Sequence, residues 1–396
     1  MRFERKSFRE CAQLIRDSYN PSANENLPYV GLEHIGQQTL RLNAIGSSSE
    51  TISNKLRFRS GDILFGKLRP YFRKVVMPKF DGVCSTDIFV IRAKEGTDQK
   101  FLYYWLASED FITYATAGSE GTKMPRAKWE FLERLEKEIP TLPEQRRIGE
   151  ILGAIDDKIE LNIQMNKTLE EMAAAIFKSW FIDFEPFKDA EFVESDLGLI
   201  PKRWEVLPLP RVMEINPHVI VDKEITMPYV AMADLPMGGS RVSDWRKRRF
   251  KGSGSRFENG DVLLARITPC LENGKTAYID FLKSCETGWG STEFIVLRAR
   301  PFVSSIWVYS IARSDDFRAF AIQSMTGTSG RQRVQASSFN HYEVAVPPPE
   351  VLAQFQKKIQ TFFITIKAND DESYTLAQSR DTLLPKLLSG EIRLMD

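Results

Sequence analysis

The chain has 396 residues, of which 42% are hydrophobic and 27% charged, a composition typical of a soluble globular protein with two or three domains. Its 54 basic and 53 acidic residues nearly cancel, so any contact with nucleic acid has to come from local basic clusters. The four cysteines lack metal-binding spacing and the three histidines lie far apart, which argues against a zinc site and against histidine-based catalysis.

The first residues, MRFERKSFRECAQLIRD, are highly charged and contain no apolar run, so they do not predict a secretion signal. No uninterrupted stretch of about 18 apolar residues occurs, so we expect no membrane span. The cysteines without CxxC spacing are typical of free thiols in a reducing compartment. We therefore expect a cytoplasmic protein.

Short motifs of the first half return in the second half in the same order. Each match is weak by itself, but together they indicate that the chain is a duplicated half-molecule. The matching stretches are 28–30 with 228–230, 58–64 with 257–263, 85–93 with 291–299, and 139–140 with 346–347.

Each half predicts the same sequence of elements. Apolar β-type runs separated by turn residues come first, at 63–69, 75–77 and 87–93, and again at 262–267, 276–280 and 293–299. One amphipathic helix then follows, at 101–116 and at 305–323, and a glycine-containing polar stretch comes after it, at 118–126 and 327–333. This order predicts an α+β domain in each half.

A long helix ends each half. Apolar residues recur at alternating spacings of four and three, which is typical of a helix that packs along another helix. Because both copies share the pattern, we expect the two helices to pair with each other. The predicted seam residues are Ile148, Leu152, Ile155, Ile159, Asn162, Asn166 and Leu169 in the first helix, and Phe355, Ile359, Phe362, Ile366, Asn369 and Leu376 in the second.

Polar residues interrupt the middle of this seam. If the helices run antiparallel about a pseudo-twofold near residue 164, Asn166 faces Asn369 and Asn162 faces Ser373. Such a polar layer would fix the register of the pair at some cost in stability. The alternative is that these side chains are simply exposed where the helices diverge.

These elements predict five segments. They are a first domain at 1–143, a central long helix at 144–183, a connector at 184–210, a second domain at 211–348 and a distal long helix at 349–396. The connector contains four prolines and many charges, so we expect a loop. Pro385 predicts a kink or an end of the distal helix, which weakens the case for Leu387 as a seam residue.

The sequence offers no catalytic constellation. Residues 61–67 fit G-x4-G-K, but Leu68 stands where a phosphate-binding loop needs Ser or Thr, and the second copy loses the second glycine. A turn into a buried strand explains both copies. The glycine-rich cofactor turn of a methyltransferase and the clustered Asp, Glu and Lys of a nuclease are likewise missing, and we expect no bound metal.

Basic residues cluster after the same landmarks in both halves. Solvated surface would explain any single cluster, but recurrence at equivalent places favours contact with DNA, since Arg and Lys neutralise phosphates and Arg reads base edges. The candidates in the first half are Lys67, Arg69, Arg73, Lys123, Arg126 and Lys128, with Tyr71 among them. Those in the second half are Arg246, Arg248, Arg249, Arg266, Lys275, Arg331 and Arg333.

At this point the chain resembles a known family, the specificity subunits of type I restriction–modification systems. The resemblance covers almost the whole chain. It rests on the two-fold repeat of a domain followed by a long helix and on four local motifs. These are Ile139-Pro-Thr-Leu-Pro-Glu-Gln145, Trp180-Phe-Ile-Asp-Phe184, Gly198-Leu-Ile-Pro201-Lys-Arg-Trp204 and Leu383-Leu-Pro-Lys-Leu-Leu-Ser-Gly-Glu-Ile392.

The resemblance implies two target-recognition domains, each reading one half of a split, asymmetric target in double-stranded DNA. It implies that the antiparallel helices are a spacer and a docking site for two modification (methyltransferase) subunits, which bring S-adenosylmethionine. Restriction subunits would add ATP- and magnesium-dependent translocation and cleavage, while this subunit would bind no cofactor. The alternatives are a free-standing DNA methyltransferase or nuclease, and a coiled-coil adaptor without DNA affinity.

Overall fold

The computed structural model describes residues 3–21, 25–121, 123–242, 245–328 and 330–394. The chain divides into two compact units. Unit 1 comprises Met1–Glu160 together with Ser373–Asp396, and unit 2 comprises Leu161–Glu372. Unit 1 is therefore assembled from two separate stretches of chain, whereas unit 2 is one continuous stretch.

The first stretch of unit 1 contains short strands and helices and runs into a long helix that continues into unit 2, while its second stretch contains the last part of the other long helix. Its elements are β1 (Phe3–Ser7), α1 (Phe8–Cys11), β2 (Ala12–Ile15), β3 (Ser18–Tyr19), β4 (Pro28–Val30), β5 (Gly46–Ser47), β6 (Lys55–Phe58), β7 (Ile63–Gly66), β8 (Val75–Val76), β9 (Gly82–Cys84), β10 (Ile88–Ala93), α2 (Gln99–Ala107), α3 (Glu109–Ala117), α4 (Trp129–Leu132), β11 (Glu136–Pro140) and α5 (Leu142–Phe181). Three short 3-10 turns lie at Leu32–His34, Ser48–Glu50 and Pro70–Phe72.

Unit 2 repeats this order and adds a hairpin before it. Its elements are β12 (Phe192–Ser195), β13 (Gly198–Pro201), β14 (Glu205–Pro208), α6 (Leu209–Val212), β15 (Met213–Ile215), β16 (Thr226–Val230), β17 (Arg246–Arg249), β18 (Ser255–Phe257), β19 (Val262–Ala265), β20 (Thr276–Tyr278), β21 (Gly288–Gly290), β22 (Phe294–Ala299), α7 (Ser305–Arg313), α8 (Asp315–Gln323), β23 (Met325–Thr326), β24 (Arg333–Val334), β25 (Glu343–Val346) and α9 (Pro349–Ser389). Its 3-10 turns are Glu185–Phe187, Met232–Asp234 and Ala336–His341.

The sheets of the two units have matching strand orders, except that β3 is an additional edge strand in unit 1. Unit 1 has a four-stranded sheet β2-β10-β7-β8, a five-stranded sheet β3-β6-β9-β4-β5 and the pair β1-β11. Unit 2 has the matching sheets β15-β22-β19-β20 and β17-β16-β21-β18 and the pair β14-β25. In the second sheet named for each unit one strand pair is parallel, β4 with β9 in unit 1 and β16 with β21 in unit 2. The predicted α+β class and the internal repeat are confirmed.

The central strands are apolar throughout because both faces of their sheet are covered. Successive side chains of a strand point to opposite faces. In β7, Ile63 and Phe65 accordingly join the core that contains α2 and α3, whereas Leu64 joins the core against the second sheet. In unit 2, Val262 and Leu264 of β19 divide from Leu263 in the same way.

The turn that mimics a phosphate-binding loop has a structural role. Asp62 is buried, accepts the backbone N–H of Arg59 at 2.8 Å, and receives Nε and Nη2 of Arg92 at 2.7 and 2.9 Å. Asp261 does the same with Glu258 and Arg298, at 2.8, 2.7 and 2.7 Å. In both units a buried carboxylate thus closes the turn and ties it to the neighbouring strand, as expected for a turn into a buried strand.

The single helix predicted in each half is two helices, so that prediction was wrong. Ser108 lies in extended conformation between α2 and α3, and its side chain accepts the N–H of Phe111. Ser314 separates α7 from α8 and accepts the N–H of Phe317. Each serine is an N-cap followed by acidic residues, a start signal that apolar periodicity alone overlooks.

The long helices pair antiparallel within each unit, and most of the predicted seam is buried. In unit 2, Phe355, Ile359 and Ile366 are buried, and Phe177 and Phe181 pack against Phe355. In unit 1, Ile148 and Leu152 share a core with Leu384, Leu387 and Leu388.

The predicted asparagine contact in the seam is also confirmed. Asn369 donates from Nδ2 to Oδ1 of Asn166 at 2.8 Å, and Asn166 donates to Oδ1 of Asp370 at 2.7 Å. Asn162 is fully buried and donates to the carbonyl of Asn369 and to Glu372 at 3.2 and 2.8 Å. This cluster is a buried polar layer, which removes the alternative that these side chains are simply exposed.

A buried ion pair lies on the unit 1 part of the helix pair. Arg380 is only 2% exposed and donates from Nη1 to Oδ1 of Asp156 at 2.6 Å. The hydroxyl of Tyr104, on α2, donates to the other oxygen of Asp156 at 2.6 Å. The helices and the globular part of unit 1 are therefore joined by charge as well as by apolar packing.

Two expectations about chain breaks differ from the structure. Helix α9 does not end at Pro385 but continues to Ser389, and Leu387 is 1% exposed, because its apolar contacts in the unit 1 core hold the last turns. The predicted connector at 184–210 is folded rather than a loop. It contains the hairpin β12–β13 and strand β14, which pairs with β25, so the second domain includes Glu205–Pro208 ahead of the predicted boundary at 211.

Neither long helix is apolar enough to cross a membrane, and the same holds for the other helices within the described residues. The described part of the chain also contains no cluster of three or more His, Cys, Asp or Glu side chains suited to a metal ion.

Candidate nucleic-acid interface

The glycine-containing loop of unit 1 returns to the end of β7. Gly121 has a φ of +103°, and a Cβ there would lie 3.2 Å from the carbonyl oxygen of Met124, so the tight turn needs glycine. The loop closes by pairing of Arg126 with both Glu120 and Leu68. Arg126 is thereby placed beside Lys67, whose carbonyl accepts the N–H of Ala127 at 2.9 Å.

Unit 2 builds the same loop from different residues. Gly327 has a φ of +122° and forms the turn, and Arg333 pairs with Ile267. The carbonyl of Arg266 accepts the N–H of Val334 at 3.0 Å, as Lys67 does for Ala127. Arg266 and Arg333 are therefore the structural equivalents of Lys67 and Arg126.

A carboxylate holds the arginine in each loop. Nε of Arg126 donates to Oδ1 of Asp87 at 3.1 Å, with 47% of the arginine side chain exposed. Arg333 donates through Nε and Nη2 to Glu293 at 2.9 and 2.8 Å, with 37% exposed. The hydrogen bond from Arg333 lowers the pKa of Glu293, and the carboxylates raise the pKa of both arginines. In the pair of Arg333 and Glu293, both pKa shifts therefore favour the charged forms.

A backbone hydrogen bond made by each carboxylate residue also recurs in the two units. The carbonyl of Asp87 accepts the N–H of Lys67, and the carbonyl of Glu293 accepts the N–H of Arg266, each at 3.0 Å. The carboxylate residue is therefore fixed by its own backbone, and this sets the place of the arginine that it binds.

A groove of about 380 Å³ adjoins the loop in unit 1. The ammonium group of Lys67 lies over the ring of Phe89 in this groove, 5.5 Å from its centroid. Aromatic and cationic side chains side by side suit a nucleic acid, because they offer stacking surface and charge together. The groove is lined by Leu14, Ile15, Arg16, Leu56, Lys67, Thr86, Ile88, Phe89, Arg126, Ala127, Lys128, Trp129 and Glu130.

Four further predicted residues of unit 1 lie at or near this loop. Arg69 has left-handed backbone and donates from Nη2 to the carbonyl of Lys123 at 3.3 Å. Tyr71 is 43% exposed, and Lys123 is exposed on the loop itself. Lys128 is exposed and pairs with Glu120 at 2.6 Å.

Two predicted DNA-binding residues are held by internal partners. Arg73 is only 14% exposed and donates to the carbonyl of Ala107 at 2.6 Å and to Asp381 at 3.1 Å. Lys275 donates to the carbonyl of Met232 at 2.8 Å. These contacts tie parts of each unit together, and no observation places either side chain against DNA.

The basic run of the second half forms a strand. This strand is β17, Arg246–Arg249, whose four residues are exposed and which pairs with β16 at the edge of its sheet. Arg248 lies over the ring of Tyr229 at 4.3 Å, and Arg249 pairs with Glu224 at 2.5 Å. The corresponding strand of unit 1, β5, consists of Gly46 and Ser47, so this basic edge is specific to unit 2.

The remaining candidates of unit 2 lie at its loop. Arg266 donates from Nη2 to Oε1 of Gln335 at 2.8 Å. Arg331 is exposed, and its carbonyl accepts Nη1 of Arg333 at 3.3 Å.

Sequence reasoning missed the two carboxylates. Asp87 and Glu293 were visible only as the matching last residues of the repeated motifs Ser85-Thr86-Asp87 and Ser291-Thr292-Glu293. That shared position, with an arginine after each glycine-containing stretch, was the available signal.

Comparison with known proteins places this geometry in context. The family model described as "Type I restriction modification DNA specificity domain" matches residues 9–171. The chain is 26% identical to the type I restriction enzyme HindI specificity subunit of Haemophilus influenzae, over 85% of this chain and 88% of that protein. It is also 26% identical to the MjaIX specificity subunit of Methanocaldococcus jannaschii, over 76% of this chain and 70% of that protein.

One solved structure supports the fold. The crystal structure of the type I restriction–modification system S subunit from M. genitalium superposes with a TM-score of 0.55 at 14% sequence identity. The match covers 100% of this chain and 97% of that one.

Proposed function

This chain belongs to the family of type I restriction–modification DNA specificity subunits, and we propose that its two units each read one half of a bipartite DNA target. The observation that carries the proposal is the recurrence of one basic loop in both units. Arg126 with Lys67, and Arg333 with Arg266, lie at equivalent places next to the ends of the equivalent strands β7 and β19.

The two halves of the target differ because the two loops differ. Only the framework is shared, whereas the exposed residues around it change, as with Lys128 against Gln335. The basic edge strand Arg246–Arg249 adds phosphate contacts in unit 2 alone. The target is therefore asymmetric.

The long helices have two roles in this proposal. They set the number of base pairs between the half-sites, and they dock two modification subunits. Exposed apolar side chains support docking, since α5 presents Leu161, Met165 and Met172 to solvent and α9 presents Ile364. Large apolar residues exposed together on a helix are typical of a protein-binding surface.

The chain contributes recognition and leaves chemistry to its partners. We assign S-adenosylmethionine to the modification subunits, and ATP and magnesium to restriction subunits that join the complex. The chain itself binds no cofactor and acts in the cytoplasm, where the genomic DNA is. A test is incubation of the purified chain with labelled S-adenosylmethionine and DNA; methyl transfer by the chain alone would contradict this assignment.

DNA affinity is tested by titrating the purified chain with duplex DNA at increasing salt. The logarithm of the binding constant should fall linearly with the logarithm of salt, by about 0.9 for each phosphate contact. Lys67→Ala and Arg331→Ala should each reduce this slope by about one. Lys188→Ala, which removes an exposed lysine paired with Glu185, is the matched control and should not change it. Binding that is independent of salt would favour an adaptor without DNA affinity.

A further inference from the structure

Each of the two loop arginines is held by a carboxylate on the Nε side of its guanidinium group. A guanidinium group has two edges that can each make a pair of hydrogen bonds, one through Nε and Nη2 and one through Nη1 and Nη2. Asp87 occupies the Nε side of Arg126. Glu293 occupies the same side of Arg333, accepting Nε with both of its oxygens and Nη2 with Oε1 at 2.8 Å.

The terminal edge remains available at Arg126, and at Arg333 it keeps Nη1 and the second hydrogen of Nη2, because Glu293 uses only one hydrogen of Nη2. Among the described residues, no acceptor takes a hydrogen bond from Nη1 or Nη2 of Arg126. Nη1 of Arg333 has only a long contact of 3.3 Å with the carbonyl of Arg331. A carboxylate thus binds each guanidinium on one side, and 47% of the Arg126 side chain and 37% of the Arg333 side chain remain exposed.

A held arginine of this kind suits a base better than a phosphate. Guanine offers two adjacent acceptors in the major groove, O6 and N7, which match the terminal edge of a guanidinium. A phosphate carries a negative charge that the neighbouring carboxylate repels, whereas the guanine edge is neutral. The carboxylate therefore orients the arginine and also opposes its use as a plain phosphate contact.

We propose that Asp87 and Glu293 are specificity-determining positioning residues, each holding its arginine so that the terminal edge reads a guanine in one half of the DNA target. This inference rests on the proposed function. Asp87 acts through Arg126 in the half-site of unit 1, and Glu293 acts through Arg333 in the half-site of unit 2.

The test uses the chain in complex with its modification subunits. Methylated sites are mapped across a genome for the wild-type complex and for complexes carrying Asp87→Asn or Glu293→Gln. Asp87→Asn should relax the preference for guanine by about tenfold at one position of one half-site and leave the other half-site unchanged. Glu293→Gln should do the same in the opposite half-site, so each variant is a control for the other.

Affinity for non-specific DNA gives a second readout. With a random-sequence duplex, both amide variants should bind several-fold more tightly than wild type, because a carboxylate that repels phosphate has been removed. Glu136→Gln is the matched control, since it removes a carboxylate paired with the exposed Arg5 at 2.5 Å. It should leave both half-sites unchanged and should not reproduce the gain in affinity.

The remaining outcomes decide the proposal. Unchanged half-sites in both amide variants would overturn it, as would an equal loss at both half-sites in either one. If an amide variant abolishes methylation, Asp87→Glu and Glu293→Asp decide, because they keep the carboxylate and should restore the guanine preference. Failure of these to restore it would assign the carboxylates to folding alone. If the wild-type complex showed no bipartite sites, the proposed function would fail instead.

Discussion

Acidic residues that bind arginine have different roles in this protein, depending on how deeply they are buried. Asp62 and Asp261 are buried and lock a turn to a neighbouring strand through Arg92 and Arg298. Asp87 and Glu293 are partly exposed and hold loop arginines instead. The first role contributes to folding, and the second leaves an arginine edge available to a ligand.

Glu170 is a third kind of acidic residue, half-buried and with no arginine at hydrogen-bond distance among the described residues. It accepts the backbone N–H of Ser240 at 2.5 Å. Burial raises its pKa above the ordinary value of 4.5, although the Ser240 hydrogen bonds and Arg313 act in the opposite direction. The folded protein therefore holds this proton more tightly than the unfolded chain does.

Replacement of this residue, Glu170→Gln, should change how stability depends on pH. Because its folded pKa is raised, the wild-type protein loses the associated stability as pH rises from 4.5 through the folded value. The amide cannot ionise, so the variant should lack this loss and be at least as stable at neutral pH. Urea unfolding at a series of pH values measures the difference in slope.

Glu171→Gln is the control for that experiment. Glu171 is exposed and contacts Lys167 at 3.9 Å, so its replacement should leave the wild-type slope in place. Equal slopes in wild type and Glu170→Gln would contradict the role of burial.

At the scale of elements, the sequence predicted the repeated long helices but not where helices end. The heptad spacing correctly predicted two paired helices, since apolar burial along a helix is periodic. Ser108 and Ser314 were missed because a helix break depends on one capping side chain and not on periodicity. Pro385 was misjudged because tertiary packing of Leu384 and Leu387 outweighs the local cost of proline.

The asparagine layer predicts a coupled response to mutation. Asn166→Leu or Asn369→Leu alone leaves the partner without its hydrogen bond, which should cost about 1–3 kcal/mol. The double variant should cost less than the sum, with a coupling of about 1 kcal/mol, because no unpaired amide of this pair remains. Urea unfolding of the full chain gives the free energy of unfolding of the wild type, the two single variants and the double variant.

The same double variant tests whether the layer fixes register. Spin labels on the two helices should give one narrow distance in wild type and a broader distribution in the variant, because an all-apolar seam tolerates sliding. Leu169→Ile is the control and should keep the narrow distribution. A single unchanged distance in the double variant would remove the register role.

At the scale of the whole molecule, the repeat made the fold predictable, while the site was only partly so. Equivalent strands and helices recur because the same apolar pattern has to be buried twice. The basic residues were visible as clusters, but burial decides which of them face solvent. Arg73 and Lys275 turned inward to backbone carbonyls, which no linear pattern distinguishes from Arg126.

The spacer role predicts a change in target geometry. Inserting about four residues into each long helix lengthens it by roughly 6 Å, which corresponds to roughly two base pairs of DNA. Methylation by the assembled complex should then shift to half-sites separated by a longer gap, read by mapping methylated adenines. The half-site sequences should stay the same because the loops are untouched.

The control places all of the residues that the two helices gain together at the tip of the hairpin β12–β13, before Gly198, where the chain turns in exposed positions. That variant has equal chain length but unaltered helices, and it should keep the wild-type gap. An unchanged gap in the helix variant would contradict the spacer role.

The discontinuous make-up of unit 1 has a consequence for biosynthesis. All residues of unit 2 leave the ribosome before Ser373, whereas the core of unit 1 also requires Leu384, Leu387 and Leu388. Unit 2 can therefore complete its core first, although most of unit 1 is translated earlier. Until Leu384, Leu387 and Leu388 are synthesised, Ile148 and Leu152 lack these apolar partners. The nascent chain therefore exposes apolar surface of the kind that chaperones bind.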